Sequence, residues 1–250
     1  EDLLQDIENG NFIVCLVPKI DTLTGEVGGA EAVVRYHHKD LGIVDPGRYL
    51  NMLEETKLSH YLDLYVFEEV CKTLHKWEVR DIPMIPVSVN FAGATLRQEG
   101  LADKMLHLIE KHHVRCEYLE VEVSESSSDM NQEMLAETSS KIRKGNVRVI
   151  LDHFGAKDSS FSILSLMEFD GLKLDKSVIS NIVGNGRSRI VAQAVIDICR
   201  QLGASVQAAG VETQDQFNVL REIGCDYAQG TLFNKPITIE TFEVRYLRDR

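Results

Sequence analysis

The 250-residue sequence has no apolar run of about 18 residues, so no transmembrane helix is expected. It has no excess of positive charge: 27 lysines and arginines face 39 aspartates and glutamates, a net charge of −12. That balance argues against docking on duplex nucleic acid through a basic face. A small anionic ligand stays open, because a metal ion or a local Arg/Lys pair can reverse the field inside a cleft. Zinc-type and CxxC cysteine spacings are missing as well. Cys15, Cys71, Cys116, Cys199 and Cys225 are odd in number, lie mostly in apolar strand or helix contexts, and read as buried thiols of a reducing cytoplasm. No linker or low-complexity segment divides the chain, so one domain over residues 1–250 is expected. The opening EDLLQDIENG is acidic and amphipathic, neither a signal peptide nor an initiator methionine, and a piece of a longer protein is expected.

At 44% hydrophobic and 26% charged residues, the chain can bury a substantial core and carries no bias toward disorder. Short β-rich runs alternate with amphipathic helical runs. Strands are predicted at 12–18, 30–36, 85–92, 119–125, 148–154, 171–176, 205–210 and 226–231. Helices are predicted at about 46–57, 60–77, 94–112, 130–144, 159–167, 186–202, 213–223 and 238–248. Only the first two strands join without a helix, across DTLTGEVGG, where Thr24-Gly25 marks a tight connection. This order predicts an α/β fold, an irregular (β/α)8 TIM-like barrel with an antiparallel first strand.

In such a barrel, polar groups at strand C-terminal ends converge on one mouth. Here those ends carry Asn90, Glu122, Glu125, Asp152, His153, Lys173, Asp175 and Gln229, while Glu31 and Arg35 share a face of an early strand. Converging carboxylates and a carboxamide suit a hard divalent cation, Mg²⁺ or Mn²⁺. A lysine and an arginine beside them suit a phosphate. Plainer roles stand next to these: Asn90 as the cap of helix 94–112, Lys173 and Asp175 as a pair on one strand face, His153 as a hydrogen-bonded interior histidine. Periodicity by itself supports a phosphate- or metal-handling barrel.

GAEAVVRYHHKDLGIVDPGRYL resembles the signature of the EAL domain, the bacterial cyclic di-GMP phosphodiesterase module, with EAV in place of EAL. The resemblance continues in order through YLDLYVFEEVC, VSVNFAGATL, LEVEVSES, LDHFGAKDSSFSIL, LKLDKSVI and AAGVETQDQFNVLREIGCDYAQGTLFNKPI. It implies a barrel with an antiparallel strand, cyclic di-GMP as ligand, and Mg²⁺ or Mn²⁺ as cofactor. Glu31, Asn90, Glu122 and Asp152 match the ligands of a first metal, and Lys173 matches the lysine that holds the attacking water. Arg35 matches an arginine that grips a ligand phosphate, Asp63 an aspartate that contacts a guanine, and Gln229 the glutamine of the YAQG strand. Glu125 matches a glutamate that steadies the loop after Asp152, through which the family couples dimerisation to activity.

The departures from the family pattern fall in the same region. His153 replaces the second aspartate of an Asp-Asp pair, Ala209 stands where AEGVE has its glutamate, and Val17 stands where QP has its glutamine. The loop reads GAKDSS instead of GTGYSS. These changes leave one metal site and remove donors of the second. The expected function is a degenerate EAL domain with impaired or absent phosphodiesterase activity, serving as a nucleotide receptor or regulatory module. The alternatives are a weak Mg²⁺- or Mn²⁺-dependent phosphodiesterase yielding pGpG, and a protein-interaction scaffold that no longer binds the nucleotide. A cytoplasmic homodimer, linked to a GGDEF-type or sensor domain in a longer protein, completes the expectation, with the cytoplasmic part of a membrane-anchored protein as the alternative.

Overall fold

The computed structural model describes residues 2–38, 40, 42–44, 46–124, 131–156 and 159–248. The strands among them are β1 (Phe12–Asp21), β2 (Val27–His38), β3 (Gly42–Val44), β4 (Val87–Asn90), β5 (Leu119–Ser124), β6 (Arg148–Phe154), β7 (Gly171–Leu174), β8 (Ser205–Ala208), β9 (Tyr227–Ala228) and β10 (Ile237–Thr238). From β2 the neighbours run β4, β5, β6, β7, β8, β9, each parallel to the last, and β1 closes the ring. β1 is antiparallel to both β2 and β9, as the two-strand hairpin in the sequence requires. The short β3 and β10 flank the barrel beside β2 and β1.

The hairpin turns where Asp21 Oδ1 accepts from the backbone N–H groups of Leu23 at 2.8 Å and Thr24 at 3.0 Å. Gly25 then takes φ of 73°, a conformation that costs glycine nothing. At the other side of β1 the barrel is sealed by residues distant in sequence. Ile20 pairs with Ala228, Thr22 hydroxyl donates to the Cys225 carbonyl, and Arg221 Nε donates to the Thr22 carbonyl at 2.9 Å.

Helices cover the outside of the sheet. The longest, Ser59–Val79, buries Phe67, Leu74 and Trp77 completely. The predicted helix 94–112 is in fact two, Gly93–Leu96 and Leu101–Lys111, parted where Gly100 takes φ of 68°. The predicted helix 159–167 shrinks to Ile163–Leu166. Asp2–Glu8, β3 and β10 were not predicted as elements, the last two being too short to show a period. Four cysteines are buried and Cys116 half-buried, all as free thiols. Among the described residues no helix is long and apolar enough to cross a membrane.

Candidate functional site

Parallel register is what assembles the site. Glu31 on β2 lies level with Ser88 on β4, Asn90 with Glu122 on β5, and Lys173 on β7 with Gln207 on β8. Residues at matched register share a face, and here that face is the barrel interior. Lys173, 4% exposed, is the centre of the cluster. Its ammonium donates to Glu31 Oε2 at 2.9 Å and to Glu122 Oε2, and lies 3.9 Å from Asp152 Oδ2.

Around this centre, Asn90 Nδ2 donates to Glu31 Oε1 at 2.7 Å, and Gln229 Nε2 donates to Glu31 Oε2. The predicted residues Glu31, Asn90, Glu122, Asp152, Lys173 and Gln229 are thus brought together. The capping role for Asn90 is corrected, since Ala92 holds that position and the Asn90 amide serves Glu31. Asp175 does not pair with Lys173; its carboxylate accepts from Ser177 N at 2.9 Å and caps the helix Lys176–Ile179. Glu125 lies outside the described residues.

The charges stabilise one another strongly. Burial opposes the Lys173 charge, but Glu122, Glu31 and Asp152 outweigh it and hold the amine well above the usual lysine range. Burial likewise opposes ionised Glu122, and the ammonium groups of Lys173 and Lys19 pull it down to about 2.

His153 has an unusual grip on its neighbour. Its backbone N–H donates to Asp152 Oδ1 at 2.6 Å, and its ring Nδ1 sits 3.1 Å from Asp152 Oδ2. That geometry needs φ of 58° at His153, in the left-handed region where histidine, asparagine and aspartate are enriched. The hydrogen bond to Asp152 raises the His153 pKa above its ordinary value against the effect of burial. Ala209 follows β8 directly, and its backbone N–H donates to the Leu174 carbonyl at 3.0 Å while its methyl offers no donor. Val17 is buried opposite Glu31 on β1.

A cavity of about 510 Å³ opens over Asn90, Glu122 and Asp152, with Arg35, Asp63 and Tyr49 in its wall. Its size is that of a small-molecule site. Arg35 Nη1 donates to the Val34 carbonyl at 3.1 Å. Asp63 uses Oδ2 to accept from Ala92 N at 2.7 Å and from Thr95 Oγ1 at 2.5 Å. Burial pushes its carboxyl up to about 7, partly offset by those two bonds.

Among the described residues, no three His, Cys, Asp or Glu side chains form a ready-made metal cluster, because Lys173 stands between the carboxylates. The donor chemistry nevertheless fits one hard cation: three carboxylates, a carboxamide, and Gln229 Oε1, a buried oxygen left without a hydrogen-bond partner. Three residues were missed in the sequence: Lys19, Ser88 and Glu120, all buried around Glu122. Their signal was a lysine inside the apolar run FIVCLVPKI and a second inward glutamate in LEVEVS.

Comparisons with known proteins agree with this architecture. The family described as "EAL domain" matches residues 1–236. "Cyclic di-GMP phosphodiesterase NbdA" of Pseudomonas aeruginosa is 30% identical over 243 residues, covering 97% of this chain and 31% of that protein. "Bifunctional diguanylate cyclase/cyclic di-GMP phosphodiesterase MucR" of the same organism is 26% identical over 239 residues, covering 96% of this chain and 35% of that protein. The solved structure "PaMucR Phosphodiesterase, c-di-GMP complex" superposes with a TM-score of 0.88 at 26% identity, covering 96% of this chain and 98% of that one. The chain spans about a third of the length of these curated relatives. It belongs to the EAL domain family.

Proposed function

We propose that this EAL barrel binds cyclic di-GMP in the cavity above Asn90 and Asp152, hydrolyses it very slowly or not at all, and works as a nucleotide receptor. One observation supports the reading: the His153 ring Nδ1 sits 3.1 Å from Asp152 Oδ2, where the family's acidic pair would bring a second carboxylate. Ala209 adds no carboxylate to compensate.

Glu31, Asn90, Glu122 and Asp152 would hold one Mg²⁺ or Mn²⁺. When bound, such an ion polarises water and offsets phosphate charge. Hydrolysis would add one water across one P–O bond of the cyclic dinucleotide and release linear pGpG. The Lys173 ammonium, held among Glu31, Glu122 and Asp152, offers N–H groups that would hold and orient a water. A carboxylate would serve for proton removal, and the position where the family pattern has one is Ala209. Arg35 offers a guanidinium fork to a phosphate, and Asp63 stands in the same wall where a guanine edge would lie.

Titration with cyclic di-GMP in Ca²⁺, chosen to allow binding without turnover, should give micromolar or tighter affinity. Arg35→Ala should weaken it by about 10–100-fold, the worth of a charge-assisted contact. Absence of binding to the wild type would sink the receptor and favour a scaffold. The surviving set of Glu31, Asn90, Glu122, Asp152 and Lys173 favours a second reading, a weak Mn²⁺-dependent phosphodiesterase. Catalytic accumulation of pGpG in Mn²⁺, lost in Glu31→Ala, would establish that reading instead.

The regulatory setting is part of the same proposal. Free buried thiols suit a cytoplasmic location. The short span relative to its relatives, and the cyclase in the name of MucR, support attachment to a GGDEF-type or sensor domain. Glu125 and the loop after Asp152 would pass dimerisation to the site.

A further inference from the structure

Lys19 is 2% exposed, one of the few charged side chains buried in the barrel. It enters the barrel interior from β1, two residues after Val17, which pairs with Glu31. Residues two apart on a strand share a face, so Lys19 points into the same interior. Its partner across the hairpin is Gly29, and a Cβ there would meet the Lys19 Cδ at 3.5 Å and the Pro86 carbonyl at 3.3 Å. The tighter of the two contacts is with the Pro86 carbonyl, and the lysine stem lies at ordinary contact distance.

Inside, Lys19 Nζ donates to Glu122 Oε1 at 3.1 Å and to Glu120 Oε2 at 3.2 Å. Ser88 Oγ donates to the same Glu122 Oε1 at 2.6 Å. Glu120 is itself braced by Arg148 Nη1, 2.9 Å from its other oxygen. Glu122 is therefore held from beneath by one oxygen, and only Oε2 is turned toward Lys173, which also binds Glu31.

We propose that Lys19 is a positioning residue of the cation site: it fixes Glu122 so that a single oxygen, Oε2, faces the cation. This rests on reading Glu31, Asn90, Glu122 and Asp152 as that site. The rival is that Lys19 merely neutralises two buried acids, and the two ideas differ in sign. Removing a nearby positive charge strengthens binding of a divalent cation by Coulomb attraction. Freeing a ligand from the partner that orients it weakens binding, by about 10–100-fold for such supporting residues.

The test is Mn²⁺ titration of the 250-residue chain, followed by the electron paramagnetic resonance signal of the free ion. Wild type is compared with Lys19→Met, Glu120→Gln and the double change Lys19→Met with Glu120→Gln. The double change leaves no extra buried charge, so it keeps the fold if Lys19→Met alone does not, and thermal melting checks this. Both variants lacking Lys19 should bind Mn²⁺ about 10–100-fold more weakly, while Glu120→Gln alone binds as the wild type does. Unchanged or tighter binding in Lys19→Met, or recovery in the double change, overturns the inference. A wild type that takes up no Mn²⁺ overturns it too, and leaves the nucleotide reading to the Ca²⁺ titration and Arg35→Ala.

Discussion

Replacing His153 by aspartate together with Ala209 by glutamate should raise hydrolysis of cyclic di-GMP by about 10²–10⁴-fold. The exchange at 153 removes the imidazole that sits 3.1 Å from Asp152 Oδ2 and supplies a second carboxylate in its place. Aspartate is among the residues that tolerate the left-handed backbone found there, φ of 58°, so the loop keeps its course. At 209 a glutamate brings the missing carboxylate to the end of β8, where it can bind a cation or take a proton. Each change alone should give much less than both, because groups serving one step are not additive. Chromatography for pGpG in Mg²⁺ reads the outcome. If the double change makes no more product than the parent, these positions are not the block, and attention moves to the loop at 155–160.

The largest effect on stability is expected far from the mouth. Glu243 is 1% exposed at the start of a π-helical turn, Glu243–Leu247, beyond the residues matched by the family. It accepts from Trp77 Nε1 at 3.0 Å, Lys76 Nζ at 2.9 Å and Arg248 Nη2 at 3.2 Å. Truncation to alanine strands the buried indole N–H, while the two cations can swing to water. The cost should be about 3 kcal/mol, lowering Tm by about 6–12 °C in a chain of this size.

Glu243 also predicts an acid response. Burial would raise its pKa, but the bonds from Lys76, Trp77 and Arg248 overcome this and hold it below the ordinary 4.5. A carboxylate depressed on folding contributes fully above its unfolded value and loses that contribution as pH falls through the folded one. Wild type should therefore lose stability more steeply than Glu243→Gln below pH of about 4.5, and parallel acid-unfolding curves would refute the assignment.

The barrel was legible because period and punctuation agree. The apolar runs in RVILDHF and GLKLDK each give way to polar residues at a strand terminus, and Asp21 with Gly25 announces the hairpin. The candidate site residues were legible by resemblance, and their convergence follows from register. Other features needed coordinates. Asn90 reads equally well as a cap or a ligand until its amide is seen on Glu31. Lys19 looks like a strand-end charge, because sequence does not reveal that it shares the face on which Val17 meets Glu31. The break at Gly100 is hidden in a stretch where helical spacing continues on both sides.

The closing seam of the barrel bears on how the chain is made. β1 meets β2 at once, but its other edge waits for Tyr227 and Ala228, some two hundred residues later. At ribosomal speeds that interval lasts about 10–40 s. Throughout it the nascent chain carries an open strand edge with Cys15 and Leu16 on it, the kind of edge that recruits neighbouring chains. A truncated product ending before β9 keeps that edge open for its lifetime. Full-length synthesis without pause, or a chaperone that shields the first hairpin, then governs yield more than the thermodynamic stability of the finished barrel.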